Sequence, residues 1–439
     1  MLSKVPIFSF KNYLTQKTGF VFFKVGILLL PSLPSISGLL LLIASIIGAL
    51  NRSENFFKDK YNYPFIAMGF LMIISCLKIE FSSIENVNSN LQWVSTINWL
   101  PFFWCFWSFK NYLSSQKLRI ICANYFVLGS VPLLISGIIQ YFFKWYGPFE
   151  FLNGLIVWFL RPICSNGGED ICVTGLTGFF NNPNVSGAYL ALLLPFSISF
   201  FKHSFIKKSK TTIFYLTIFV LICVSIFLTT SRNAWLGIII SFFILFNKAW
   251  LISLFLFFLI ISFPFLLNNL NFFPENISSF FNNLIPYNLR SKFLNLGFNN
   301  LNKYPRFSIF LTSIEMIFSR PIFGWGATMY TIIYEIKTNS YSAHPHNLFL
   351  GLAINYGTLV SLLFLIYIFW LITKCIKLIT KNPKNFNKID KAFYSSLIVI
   401  SIIHLFDIPY FDARISISFW ILICSLRGMI FENEKKIIR

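Results

Sequence analysis

Long uncharged apolar runs recur along this chain, each closed by a short polar or lysine-bearing stretch. They lie near 20–35, 36–50, 64–79, 95–113, 119–143, 184–201, 211–229, 233–247, 249–267, 347–373, 391–406 and 413–430. A helix needs about 20 apolar residues to cross a bilayer core. The pattern therefore predicts an all-α, polytopic membrane protein with about 12 transmembrane helices. Residues 20–50 are too few for two full spans, and Pro31 and Pro34 interrupt them, so they read as a tight broken hairpin. An outer-membrane barrel would instead alternate apolar and polar positions over roughly ten residues per strand.

Two polar stretches are long, 144–183 and 268–346. The chain thus divides into nine spans with short loops and one longer loop (1–267), a large loop before the tenth span (268–346), and three spans with a tail (347–439). No repeat of fixed period and no soluble domain is evident. Composition agrees: 56% of the residues are hydrophobic and 12% charged, against about 25% charged in ordinary soluble chains. That excludes a soluble enzyme, a disordered chain and a fibrous repeat.

The net charge of +21 would suggest nucleic acid in a soluble protein. Here most lysines sit between apolar spans, where they set topology and meet anionic membrane lipids, so no nucleic-acid partner is expected. With both termini cytoplasmic, the positive excess falls inside, as the positive-inside rule requires. The outer segments use arginine disproportionately: Arg161, Arg232, Arg290, Arg306, Arg320 and Arg414. Guanidinium binds phosphate or carboxylate through two parallel hydrogen bonds, whereas ammonium acts as a point charge.

Several short motifs carry chemistry. Residues 229–237 read TTSRNAWLG; Ser231 is placed to cap a helix that Arg232 opens, where free backbone N–H groups favour an anion. In LTGFFNNPNVSGAYLALLLP (176–195), Asn182 is an N-cap, Pro183 the first helical residue and Asn184 part of the first turn. RPIFGWG (320–326) follows Arg306 and an apolar stretch, and its glycines suggest a tight turn. SAHPHNLFLGLAINYG (342–357) holds His344 and His346 at the mouth of a span. Two histidines without a third ligand make no metal site, so no metal is expected, and a general-base or hydrogen-bonding role fits one of them better. Asn347 either orients a substrate or caps the helix. In DIPYFDAR (407–414), Asp407, Asp412 and Arg414 read as a local ion pair. Spans beginning near 184, 233 and 347 would all point their positive dipole ends outward, converging on an anion. Cys164 and Cys172 flank SNGGEDI on the outer side, where an oxidising compartment favours a disulfide. The other six cysteines lie in or beside apolar spans and read as small buried residues.

In these residues the chain resembles the O-antigen ligase and polymerase superfamily of membrane glycan transferases, in its cyanobacterial-like branch. The matching pieces are TGFFNNPNVSGAYLALLLP, TTSRNAWLG, the block from Arg306 through RPIFGWG, and HNLFLGLAINYG, in family order over roughly 177–357. The resemblance implies an enzyme that takes a glycan from an undecaprenyl diphosphate carrier at the periplasmic face of an inner membrane, without cofactor. The glycan passes to an acceptor hydroxyl on lipid A-core, on a growing glycan or on protein. It implies diphosphate binding by Arg232 and Arg306 and a loop histidine at His346, all three catalytic. Arg320, Asn184, Asn347 and Arg161 are further substrate-binding candidates. The proline between the histidines holds His344 extended and leaves its role open. The alternative within the superfamily is a polymerase or protein oligosaccharyltransferase. An alternative of another class is a bicarbonate or small-anion transporter, against which stand the long outer loop and the lack of midplane ionisable residues.

Overall fold

The computed structural model describes residues 7–50, 55–78, 90–163, 172–246 and 305–438. The expected span at 249–267, the first part of the large loop and Cys164 lie outside them. In chain order the helices are α1 Ile7–Leu29, α2 Pro34–Leu50, α3 Tyr63–Lys78, α4 Asn90–Thr96, α5 Leu100–Ser108, α6 Gln116–Phe143, α7 Pro183–Ile206, α8 Thr212–Leu228 and α9 Arg232–Leu245. After the undescribed segment come α10 Pro305–Ser319, α11 Met329–Thr338, α12 Leu348–Tyr356, α13 Thr358–Lys381, α14 Lys388–Ile403 and α15 Ala413–Ile438. Two short strands, β1 Phe149–Phe151 and β2 Ile156–Trp158, form an antiparallel hairpin.

Among the described residues five segments are long and apolar enough to cross a membrane: Lys60–Lys78, Gln116–Phe143, Pro183–Ile206, Thr358–Lys381 and Ala413–Lys435. Three shorter apolar helices, α2, α8 and α9, accompany them. Leu39, Leu42 and Ile46 of α2 and Leu362, Ile366 and Phe369 of α13 are exposed. Such stripes are costly in water and natural against lipid tails. The chain is a multi-pass membrane protein.

The fold separates into two compact units, residues 1–130 with 305–439, and residues 131–304. In the first, the predicted hairpin at 20–50 breaks at the expected place, between Leu29 and Pro34, but α1 begins well before it, at Ile7. Two other expected spans are not single helices. Residues 95–113 divide into the end of α4, α5 and a 3₁₀ turn at Phe109–Leu113. Pro101 lies in the first turn of α5, and the buried Trp99 before it stacks on Tyr410 at 4.3 Å.

The expected span 347–373 is interrupted at Gly357, where φ is 98° and ψ 158°. Only glycine adopts that region readily. The RPIFGWG loop fills the break: Trp325 N donates to Ile354 O at 2.7 Å, Gly326 N to Asn355 O at 3.2 Å, and Thr358 N to Pro321 O at 2.8 Å. The loop thus takes up carbonyls left open at the end of α12. A Cβ on Gly357 would stand 1.9 Å from Ile322 O.

Arg119 and Arg427 are buried ion-pair partners. Arg119 Nε lies 2.7 Å from Asp390 Oδ1 and its Nη2 2.7 Å from Glu432 Oε2, while Nη1 donates to Leu113 O. Arg427 pairs with Asp59, which Lys110 also approaches at 3.5 Å. Asn387 and Asp390 form a reciprocal capping box at the start of α14, so Asp390 both caps that helix start and pairs with Arg119.

In the second unit, α7 is buried along most of its length and carries α8 and α9 on its sides. Ring stacking between Phe200 and Tyr215 and between Phe201 and Phe219 joins α7 to α8. The buried amide of Gln140 fastens α6 to the following loop. Its Nε2 donates to Arg161 O and Thr177 Oγ1, and its Oε1 accepts from Thr177 N and Gly178 N.

Gly357→Ala should destabilise the protein by at least roughly 1–3 kcal/mol through its backbone conformation alone, before the overlap with Ile322 O. Gly351→Ala in the same helix meets only Ile408 Cδ1 at 3.4 Å and Pro345 Cγ at 3.6 Å and should be tolerated. Thermal unfolding of both purified variants compares them; equal melting would contradict the interrupted helix.

Candidate active site

The sequence SAHPHN turns sharply into α12. Ser342 Oγ donates to His344 O at 3.1 Å, Pro345 is buried, and His346 takes a left-handed φ of 50°. A non-glycine residue holds that conformation only where its surroundings fix it. Asn347 is the N-cap: its Oδ1 accepts from Phe349 N at 2.9 Å and Leu350 N at 3.0 Å. Its Nδ2 donates to Leu405 O at 3.0 Å, and Leu348 N donates to His404 O at 2.8 Å. The start of α12 is thereby fastened to the turn that follows α14. Of the two roles left open for Asn347, the structure shows capping.

That turn presents Asp407. Its Oδ1 lies 3.2 Å from His346 Nδ1 and 3.9 Å from His344 Nε2, and accepts from Ile408 N at 2.9 Å. The imidazole rings are 4.2 Å apart, and His346 N donates to His344 Nδ1 at 3.3 Å. These partners assign the tautomers of the neutral rings. His346 carries its proton on Nδ1, towards the carboxylate, which leaves Nε2 with a lone pair. His344 accepts on Nδ1 and so carries its proton on Nε2.

Burial, the charge of His346 and, more weakly, that of Arg306 hold His344 below its ordinary 6.5, against the opposing pull of Asp407. Burial pushes the Asp407 carboxyl up, but the hydrogen bond from His346 and the charges of both histidines outweigh it. The carboxyl sits below its ordinary 3.8. At neutral pH the cluster is a carboxylate between two imidazoles, His344 being uncharged.

The local ion pair expected of DIPYFDAR forms without Asp407. Asp412 takes Arg414 in a two-pronged pair, Nε to Oδ1 at 2.8 Å and Nη2 to Oδ2 at 2.6 Å. Asp407 is the residue the sequence reading missed, although a signal existed. In a turn with two acids and one arginine, one carboxylate must look elsewhere. It also corrects the expectation that His344 and His346 lack a third ligand: atoms of the three side chains lie within 4.8 Å of one another.

The other expected site residues are placed as follows. Arg306, in the first turn of α10, is exposed and close enough to His344 to act on its charge. Arg320 lies over the Trp325 ring, 4.2 Å from its centroid, and Trp325 Nε1 donates to Met316 O. Arg232, Asn184 and Arg161 belong to the second unit. Arg232 is the exposed first residue of α9. Ser231 has N-cap geometry but makes no side-chain capping bond, contrary to expectation. Its N–H instead donates to Thr229 Oγ1 at 3.3 Å, beside a left-handed Thr230 whose hydroxyl donates to Thr174 O. Asn182 caps α7 by accepting from Asn184 N at 2.7 Å, with Pro183 first in the helix. Arg161 is half-buried, with its N–H on Thr177 Oγ1. Cys172 is disulfide-bonded; Cys164, its expected partner, is outside the described residues. The remaining six cysteines are free.

Residues 217–365 match the family model described as O-Antigen ligase. The match supports the O-antigen ligase and polymerase superfamily, and with it a membrane enzyme of the glycan-transfer type. It covers Arg232, Arg306, Arg320, both histidines and Asn347, and leaves out Asp407, Asn184 and Arg161. No curated protein matches the chain.

Both pKa shifts in the cluster make acid destabilising. A group whose folded value is depressed loses its stabilising contribution as pH falls from the unfolded value through the folded one. For His344 the loss starts near 6.5 and for Asp407 near 3.8. Melting temperatures should therefore fall between pH 7 and pH 5, and fall less in His344→Gln, whose side chain cannot charge. An identical decline in both proteins would refute the assignment.

Proposed function

We propose that the protein is a glycosyltransferase of the O-antigen ligase type. It moves a glycan from an undecaprenyl diphosphate carrier to an acceptor hydroxyl, on lipid A-core or a similar glycolipid, at the periplasmic face of a bacterial inner membrane. The observation that carries this reading is the His346–Asp407 pair, set at a helix start inside or beside a stretch matching the O-antigen ligase family model. An imidazole with a free Nε2 and a carboxylate behind Nδ1 is arranged to take a proton and to be stabilised once charged.

In this reading His346 Nε2 removes the proton of the acceptor hydroxyl as its oxygen attacks the anomeric carbon. The bond from that carbon to the carrier's diphosphate breaks, and the diphosphate leaves with the electron pair. Asp407 fixes the His346 tautomer and offsets the imidazolium charge. Arg232 and Arg306 bind the diphosphate and stabilise the charge that builds as it leaves. Asn347, as helix cap and tether to Leu405, positions His346 rather than touching substrate. Arg320, Asn184 and Arg161 stay substrate-binding candidates. Arg320 is the weakest of them, because its guanidinium already rests on Trp325.

Two experiments test the assignment in a glycan-transfer assay with purified protein. His346→Gln should lose roughly 10²–10⁴ in rate while retaining donor binding, the usual contribution of a positioned base. Asp407→Asn should lose rate in the same range, and the double variant scarcely more than His346→Gln alone, since the two act as one unit. Additive losses would contradict the pairing. Arg232→Lys keeps charge but loses the two-pronged grip; near-normal product from it would remove the diphosphate role.

A further inference from the structure

A cavity of about 300 Å³ lies beside His344 in the first unit. Its wall includes Asn98 from the turn between α4 and α5, Thr328 and Tyr330 at the start of α11, Asn355 of α12, Phe411, and His344 itself. The amides of Asn98 and Asn355 and the hydroxyl of Thr328 make no hydrogen bond among the described residues. Thr328 is held there at a left-handed φ of 77°, an uncommon conformation for a β-branched residue. Among the described residues, no aspartate, glutamate, lysine or arginine lines the cavity.

This lining discriminates among ligands. A diphosphate calls for guanidinium or ammonium groups, and none lines the cavity among the described residues. An acyl chain would leave the three polar groups without partners, at a cost of about 1–3 kcal/mol for each one buried. Amides and hydroxyls both donate and accept, which matches a ring bearing hydroxyl groups, and Tyr330 and Phe411 offer apolar surface for its C–H faces. The volume lies at the low end for small-molecule sites, fit for a sugar unit rather than a whole glycan. His344 adds a donor. Its Nδ1 is occupied by the His346 N–H, and its Nε2–H, 3.9 Å from Asp407, is beyond hydrogen-bond reach of the carboxylate.

We propose that this cavity is a carbohydrate subsite that holds the acceptor's sugar, with Asn98, Thr328 and Asn355 reading its hydroxyls and His344 donating to one of its oxygens. The inference rests on the transferase reading and extends it. His344 becomes the specificity neighbour of the base, and the neutral polar wall keeps the diphosphate donor out. A sugar seated against His344 would have a hydroxyl close to His346, since the two rings are 4.2 Å apart.

The test is saturation-transfer-difference NMR on the full chain in lipid nanodiscs, with free glucose, galactose, mannose and N-acetylglucosamine as probes. At least one sugar should receive saturation. Asn355→Ala and Phe411→Ala should each weaken its Kd roughly tenfold, equivalent to about 1.4 kcal/mol. Asn98→Ala, in an exposed turn, gives the same reading with no threat to folding. Inorganic pyrophosphate should leave the signal unchanged. Failure of all four sugars to bind, unaltered binding in all three variants, or displacement by pyrophosphate would overturn the subsite. The two readings fail separately. A protein that transfers glycan but binds none of these sugars keeps the transferase and loses the subsite. One that binds sugar in the cavity but never transfers glycan overturns the acceptor role.

Discussion

The nine-residue helix Leu348–Tyr356 imposes the constraint from which the first unit's site follows. At about 1.5 Å per residue it spans less than half of a bilayer's hydrocarbon core. Its end groups therefore need protein partners wherever water is scarce. At its start Asn347 and the carbonyl of His404 supply them, which brings the turn bearing Asp407 against His346. At its end the Pro321–Gly326 backbone supplies them, which fixes the loop after Arg320 and leads into α11. Side chains from three distant parts of the sequence meet because two helix ends must be satisfied.

The same unit holds two kinds of charged cluster, with different physics. Arg119, Asp390, Arg427 and Asp59 are at most 4% exposed at the side chain. A charge taken out of water at that depth persists only with close partners, so these groups are fixed and unreactive. The histidine cluster is looser, with His346 29% and Asp407 12% exposed. It can still exchange protons and meet a ligand. α14 connects the two: Asp390 stands in its first turn, and the turn after its last residue carries Asp407.

Much of this was legible in the sequence. Apolar runs near 20 residues marked most of the helices, because the bilayer sets one length for all of them. The proline at 183 and the asparagine before it marked the start of α7 for a local reason, since capping involves only neighbours. The histidine pair stood out by scarcity. The interruption at Gly357 was hidden because its cause, the backbone of residues 321–326, lies outside the run it breaks. Asp407 was overlooked because its partners are some sixty residues away, while Asp412 and Arg414 sat beside it. The burial of Arg119 and Arg427 was hidden for the same reason: it depends on partners that local pattern does not show.

The buried ion pairs also bear on how the chain is made. Asp59, Lys110 and Arg119 emerge early from the ribosome, whereas Asp390, Arg427 and Glu432 emerge last. The intervening residues 131–304 form a unit of their own. Until α14 and α15 are made, Arg119 lacks both of its carboxylate partners, and a lone charge facing lipid is costly. Asp59 already has Lys110 beside it; α14, with Asp390, gives Arg119 its first counter-ion, and α15 completes both clusters with Arg427 and Glu432. A chain that stopped before Asp390 would leave the Arg119 guanidinium with no carboxylate partner, a chemical mark by which a membrane protease could tell unfinished copies from finished ones.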